Sequence, residues 1–146
     1  MDFQVQLILQ LVLALVLGAV MGLEREYKGK KAGLQTYSLV SLGACLFTLL
    51  SFEFFDFFND KVGIAFDPSR IILAVATGIG FIGAGVIIHR EFQIEGITTA
   101  AGLWCSAAIG VAVGAKLYFL AFLTTLLAVL VFVGFGEIEK RFLNKK

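Results

Sequence analysis

Charge is scarce in this chain. Asp, Glu, Lys and Arg together supply 16% of its 146 residues, where soluble domains carry about 25%, so a water-soluble surface is excluded as the default. Reactive and metal-binding residues are scarce too. The two cysteines, Cys45 and Cys105, stand alone inside apolar runs; that spacing excludes a disulfide framework or a zinc knuckle, and small buried thiols need no role beyond packing. One imidazole, His89, makes no metal site alone, although beside Arg90 and Glu91 it is placed to sense pH. A net charge of +1 leaves no basic footprint for nucleic acid. The motif Gly78-Ile79-Gly80-Phe81-Ile82-Gly83 has the spacing of a dinucleotide loop, but no acid follows about 20 residues on and no charge lies between Ile71 and Ile88. Glycines packed this densely in a hydrophobic helix point to close backbone approach instead.

What the chain has is apolar length. Hydrophobic residues make up 59%, including 15 Phe, and every charge lies outside five runs at 3–23, 32–52, 71–88, 96–115 and 117–136. At about 1.5 Å per residue each run crosses roughly 30 Å of hydrocarbon as a helix. The expected fold is an all-α polytopic membrane protein, one transmembrane domain over 1–146. Its helices are expected near 4–24, 34–57, 68–89, 97–114 and 117–137, with inner loops at 24–33 and 89–96 and an outer loop at 58–67. The first run lacks a basic n-region and a cleavage site, so it reads as a retained helix, not a signal peptide.

The distribution of charge sets the expected orientation. With the N-terminus outside, the inner segments hold Arg25, Lys28, Lys30, Lys31, Arg90, Lys140, Arg141, Lys145 and Lys146, nine of twelve basic residues. The outer segments hold Lys61, Arg70 and Lys116 beside Glu53, Asp56, Asp60 and Asp67. The positive-inside rule then gives N-out, C-in. A slide of 65 positions also sets Gly18-Ala19 on Gly83-Ala84 and Arg25-Glu26-Tyr27 on Arg90-Glu91-Phe92. After a two-residue gap, Gly33-Leu34-Gln35-Thr36 falls on Gly96-Ile97-Thr98-Thr99. Two readings stand: a parallel repeat of helical hairpins with a fifth helix added, or two inner loops that share a need for basic residues and a helix start.

Several constellations are candidates for function. Gly102, Ser106, Gly110 and Gly114 recur every fourth residue, as do Gly18 and Gly22, the pattern that lets helix backbones touch in lipid. Gly78, Gly80, Gly83 and Gly85 cover more than one face, which predicts a central third helix, packed on several neighbours or locally unwound beside an ion path. Asp67-Pro68 reads as a helix cap. Arg70, a cation at a helix N-terminus, calls for an acid partner among Asp67, Asp60 and Glu53. Glu53, Asp56 and Asp60 share a face if the second helix continues, a face suited either to solvent or to a divalent cation. At the inner side, Arg25, Glu26, Arg90 and Glu91 are expected to form a four-charge network near Thr36, Thr98 and Thr99, either a packing lock or a gate. No nucleophile–base pair, metal-ligand cluster or phosphate loop is present. A protein that is not an enzyme, with no cofactor and no metal centre, is therefore expected.

These motifs, taken in order, resemble the membrane domain of the MgtC/SapB family. The resemblance rests on Gly18-x-x-x-Gly22-x-x-Arg25-Glu26, Lys31-Ala32-Gly33-Leu34-Gln35-Thr36, Leu39-Val40-Ser41-Leu42-Gly43-Ala44 and Asp67-Pro68-Ser69-Arg70-Ile71. It continues through the glycine-rich 78–87 and Gly96-Ile97-Thr98-Thr99-Ala100-Ala101-x-Leu103-Trp104. Gln35 departs from the family, which often carries Arg there, so an anion contact at that position is not implied. The sequence ends ten residues after Gly136, and a short form lacking the family's C-terminal ACT-like domain is expected. The resemblance implies a bacterial inner-membrane protein linked to growth in low magnesium and, in pathogens, to survival inside macrophages. Family-level proposals for mechanism are inhibition of the F-type ATP synthase, influence on membrane potential, and magnesium transport. The leading expectation is a non-enzymatic regulator acting through helix–helix contacts, as a homodimer or on a membrane partner. The rival expectations are an ion transporter or channel, and a small subunit of a larger complex.

Overall fold

The computed structural model describes residues 3–59, 66–90 and 93–136, with the side chains of Asn59 and Arg90 outside that description. Five helices, each long and apolar enough to cross a membrane, account for nearly all of them. They are α1 (Phe3–Tyr27), α2 (Leu34–Asn59), α3 (Ser69–Val86), α4 (Ile97–Gly114) and α5 (Tyr118–Leu130), the last extended by a π-helical turn at Val131–Phe135. A two-stranded antiparallel ribbon, β1 (Ile88–Arg90) with β2 (Gln93–Glu95), joins α3 to α4.

The centre of the bundle is α4, which packs on α1, α2, α3 and α5. Ten of its eighteen residues are buried. Small side chains explain the position. A Cβ on Gly110 would collide with the Ser41 carbonyl oxygen, and one on Gly114 would come within 2.7 Å of Thr48 Cβ and 2.9 Å of the Cys45 carbonyl oxygen. The backbones of α4 and α2 are thus in direct contact, and lipid, as apolar as any side chain, offers no hydrophobic drive that could replace that contact. The Ser106 hydroxyl adds a hydrogen bond to the Tyr37 carbonyl at 2.9 Å. Gly18 and Gly22 do the same work between α1 and α2, where a Cβ would lie 2.6 Å from the Tyr37 carbonyl oxygen and 2.7 Å from Leu34 Cα.

The third helix is not central. Only Ile79 and Gly83 are buried in α3, and a Cβ on Gly78, Gly80 or Gly85 would meet nothing within 4 Å. Glycines scattered over several faces leave no continuous stripe for a neighbour to follow, whereas the four-residue repeat of α4 does. Nor does α3 unwind, since its helix is continuous through 78–85. It does end early. Ile87 N–H closes onto the Ala84 carbonyl (3.2 Å), and the chain turns into the ribbon at Ile88, inside the stretch expected to be helical up to 89.

The two hairpins share their inner contacts. Gly18 faces Tyr37 in the first, and Gly83 faces Ala100, at 3.5 Å, in the second; the slide that aligns the loops carries each position onto its counterpart. Gly22 lies on Gly33 as Gly96 lies on Ile87. Their connections differ, because the first pair is joined by a turn and the second by the ribbon.

Candidate functional site

Charge enters the buried part of the bundle at the last turn of α1. Glu24 and Lys28, one helical turn apart with the acid first, pair at 2.7 Å. The other oxygen of Glu24 takes the Nε–H of Arg25. Arg25 is only 4% exposed, and a buried cation is costly unless compensated. Compensation comes from Glu24 and from the ring of Phe132, whose face lies 4.0 Å below the guanidinium carbon. Cation–π contacts of this kind contribute about 2 kcal/mol when desolvated.

The π-turn carries this ring. Its Gly136 N–H donates to the Val133 carbonyl, and its Phe132 carbonyl accepts from the Lys28 ammonium at 2.9 Å. Lys28 thereby ties α1 to the end of the fifth span. Phe132 meets Tyr37 edge-to-face at 6.4 Å, and the buried Tyr37 hydroxyl donates to the Thr99 carbonyl at 3.2 Å. Both rings close on Gly102, where a Cβ would lie 2.6 Å from Phe132 Cζ. Four elements therefore meet in one locus: α1 through Arg25, α2 through Tyr37, α4 through Thr99 and Gly102, and the π-turn through Phe132.

This locus departs from the expected four-charge network. Glu26 turns away from Arg25; its carboxylate accepts the Leu34 N–H at 3.1 Å, capping α2 where the helix dipole favours an anion. Glu91 and the side chain of Arg90 lie outside the described residues. Thr98 is exposed, Thr36 half-buried, and Thr99 contributes its backbone oxygen. Lys31 and Glu95 join the two loops at 3.5 Å on the surface. Sequence reasoning missed Glu24, Lys28, Tyr37 and Phe132 as site residues. The four-residue spacing of Glu24 and Lys28 was a usable signal, but nothing marks Phe132 among fifteen phenylalanines.

At the opposite end, Asp67 acts as a cap. Its Oδ1 accepts from the Ser69 hydroxyl at 2.7 Å and the Ser69 N–H at 2.9 Å. These bonds, the hydroxyl first, hold its carboxyl below the ordinary range, with a smaller contribution from the Arg70 charge. The expected Asp67–Arg70 ion pair does not form. Arg70 is exposed and makes no ion pair among the described residues; the carboxylate is already satisfied by Ser69, and Asp60 lies outside the described residues. No group of three or more His, Cys, Asp or Glu that could hold a metal occurs among the described residues.

Comparison with known proteins places this arrangement. The MgtC family model matches residues 11–141. Over 126 residues the chain is 44% identical to the Escherichia coli (strain K12) protein named "Putative magnesium transporter YhiD", covering 85% of this chain and 58% of that one. It is 42% identical over 96 residues to "Protein MgtC" of Brucella abortus, covering 66% and 37%. With "Protein SapB" of Bacillus subtilis it shares 40% over 115 residues, covering 78% and 49%. The chain thus spans about half the length of the curated relatives it matches. No solved structure is a significant match. The family match runs from the first half of α1 past the π-turn, and so takes in the whole Arg25–Phe132–Tyr37 locus: the chain belongs to the MgtC family.

Proposed function

We propose that this chain is the membrane module of a non-enzymatic regulator in the bacterial inner membrane, tied to magnesium limitation, that acts by docking a transmembrane helix of a partner protein. The observation that carries the reading is the contrast between its glycines. Those of α1 and α4 are closed by backbone or, at Gly102, by the rings of Tyr37 and Phe132, so the core seam has no room for a passing ion. Gly43 and Gly78 instead meet nothing within 4 Å and open a groove of about 680 Å³ between α2 and α3, walled by Leu39, Phe47, Val75 and Ile82. Small residues that open a helix surface in lipid are the usual seat of a second helix. The F-type ATP synthase is the partner that the family resemblance puts first.

Gly78→Phe fills the groove without touching the core, because the added ring has free space. The variant should melt with the wild-type protein, lose capture of the partner from native membranes, and lose support of growth in low magnesium. Retention of both functions in a chain with a filled groove would refute docking there. The name of the Escherichia coli relative supports transport as the second reading. Proteoliposomes decide between the two: robust Mg²⁺, Na⁺ or H⁺ flux defeats the regulator reading.

A further inference from the structure

The groove between α2 and α3 is closed at one end. Away from Arg25, the Ser51 hydroxyl donates to the Pro68 carbonyl at 2.8 Å and Phe54 meets Phe66 edge-to-face at 6.1 Å, which draws α2 onto the start of α3. At the Arg25 end the gap stays open. Its lining runs from Gln35 to Phe47 on α2 and from Ile71 to Ile82 on α3, about 18 Å and about 17 Å at 1.5 Å per residue. That is close to the depth of one leaflet, half of a hydrocarbon core about 30 Å thick.

Polarity follows the same axis. From Leu39 to the closed end the lining is wholly apolar, over a buried floor of Ala44, Ile79 and Ala107. Its polar side chains are Gln35 and Thr36, both at the open mouth, and neither has a side-chain hydrogen bond among the described residues. The mouth also carries a cation without a counterion. Lys31 pairs with Glu95 at 3.5 Å, and because Gly96 packs on the Val86 carbonyl, that pair joins the loop before α2 to the end of α3. Glu26 is engaged by the Leu34 N–H. Lys30, exposed beside Lys31, forms no ion pair among the described residues. A blind apolar slot with hydrogen-bonding groups and an unpaired ammonium at its open end matches a phospholipid in order: acyl chain, ester and hydroxyl oxygens, then phosphate. Basic residues beside such a mouth favour an anionic headgroup.

We propose that the groove holds one acyl chain of an anionic phospholipid from the leaflet at the Arg25 end, with the headgroup at Gln35, Thr36 and Lys30. A lipid chain and a docked helix exclude each other there. Regulation follows, and it alone rests on the docking reading: release of the lipid opens the seat for the partner. Lipid retention is measured on the chain without a partner, so its outcome is separate from that of partner capture.

The test is native mass spectrometry of the purified whole chain, delipidated in mild detergent and titrated with phosphatidylglycerol, with phosphatidylcholine of the same acyl chains, or with glycerol phosphate. Saturable binding of a single phosphatidylglycerol is expected, and none of glycerol phosphate. Lys30→Gln should weaken phosphatidylglycerol about fivefold, the effect of one lysine near a membrane surface, and leave phosphatidylcholine unchanged. Gly78→Phe and, from the opposite wall, Gly43→Phe should lose the bound lipid, because each ring enters the groove without meeting the core. Gly80→Phe, equally unobstructed but outside the groove, should retain it. An unchanged melting temperature in detergent checks that all three glycine variants fold. Lipid adducts that never saturate, or equal retention by Gly78→Phe, Gly43→Phe and the wild type, overturn the site.

Discussion

At the residue scale, identical glycines have opposite roles. Gly110 exists because the Ser41 carbonyl occupies the space of a side chain, while Gly80 faces open surroundings. Gly110→Ala should therefore destabilise the bundle by about 1–3 kcal/mol through overpacking. Gly80→Ala removes a helix-weakening residue and should be neutral or stabilising by up to about 1 kcal/mol. Thermal unfolding in one detergent compares the two directly, and equal losses would show that the α2–α4 contact is misplaced. The four-residue repeat of 102, 106, 110 and 114 made the α4 stripe legible in the sequence, because helical periodicity alone puts those residues on one face. The partner was not legible, since nothing in the stripe names Ser41 or Thr48. For 78, 80 and 85 the letters were the same and the inference of a central helix failed, because glycine content reports what a helix permits and not what packs on it.

At the element scale, the decisive feature is the π-turn after α5. Its Phe132 carbonyl accepts from Lys28 and its Phe132 ring faces Arg25, so it ties the fifth span to the first. Phe132→Leu keeps an apolar side chain there but removes the ring face, and should cost about 2 kcal/mol from the cation–π contact. In an Arg25→Met background most of that loss should disappear, because no cation remains to be compensated. Denaturant titration of the four chains gives the coupling, and strictly additive losses would remove Arg25–Phe132 from the site. The sequence showed the five spans because long charge-free runs must be satisfied as helices. It hid the ribbon after α3, since 71–88 is as apolar at its end as at its middle. What closes the ribbon onto the end of α3 is Gly96 at φ 94°, where a Cβ would strike the Val86 carbonyl.

At the scale of the whole molecule, five antiparallel spans put the Arg25 locus and the ribbon at one end and the acidic end of α2 at the other. Which end faces the cytoplasm follows from charge. Lys28, Lys30 and Lys31 lie at the first end, and Glu53, Asp56 and Asp67 at the second. Basic residues next to spans resist translocation, whereas acids contribute little to orientation, so the first end should stay inside and the acidic end should face the external medium. Both native cysteines sit within the spans, Cys45 fully buried and Cys105 half-buried, and the unsubstituted chain sets the background for labelling. A membrane-impermeant maleimide should then mark Glu53→Cys in intact cells, and Lys30→Cys only after the membrane is opened. The reverse pattern would invert the orientation. It would also put the Arg25–Phe132 locus at the outer face, so this one labelling result fixes which compartment that end of the bundle meets.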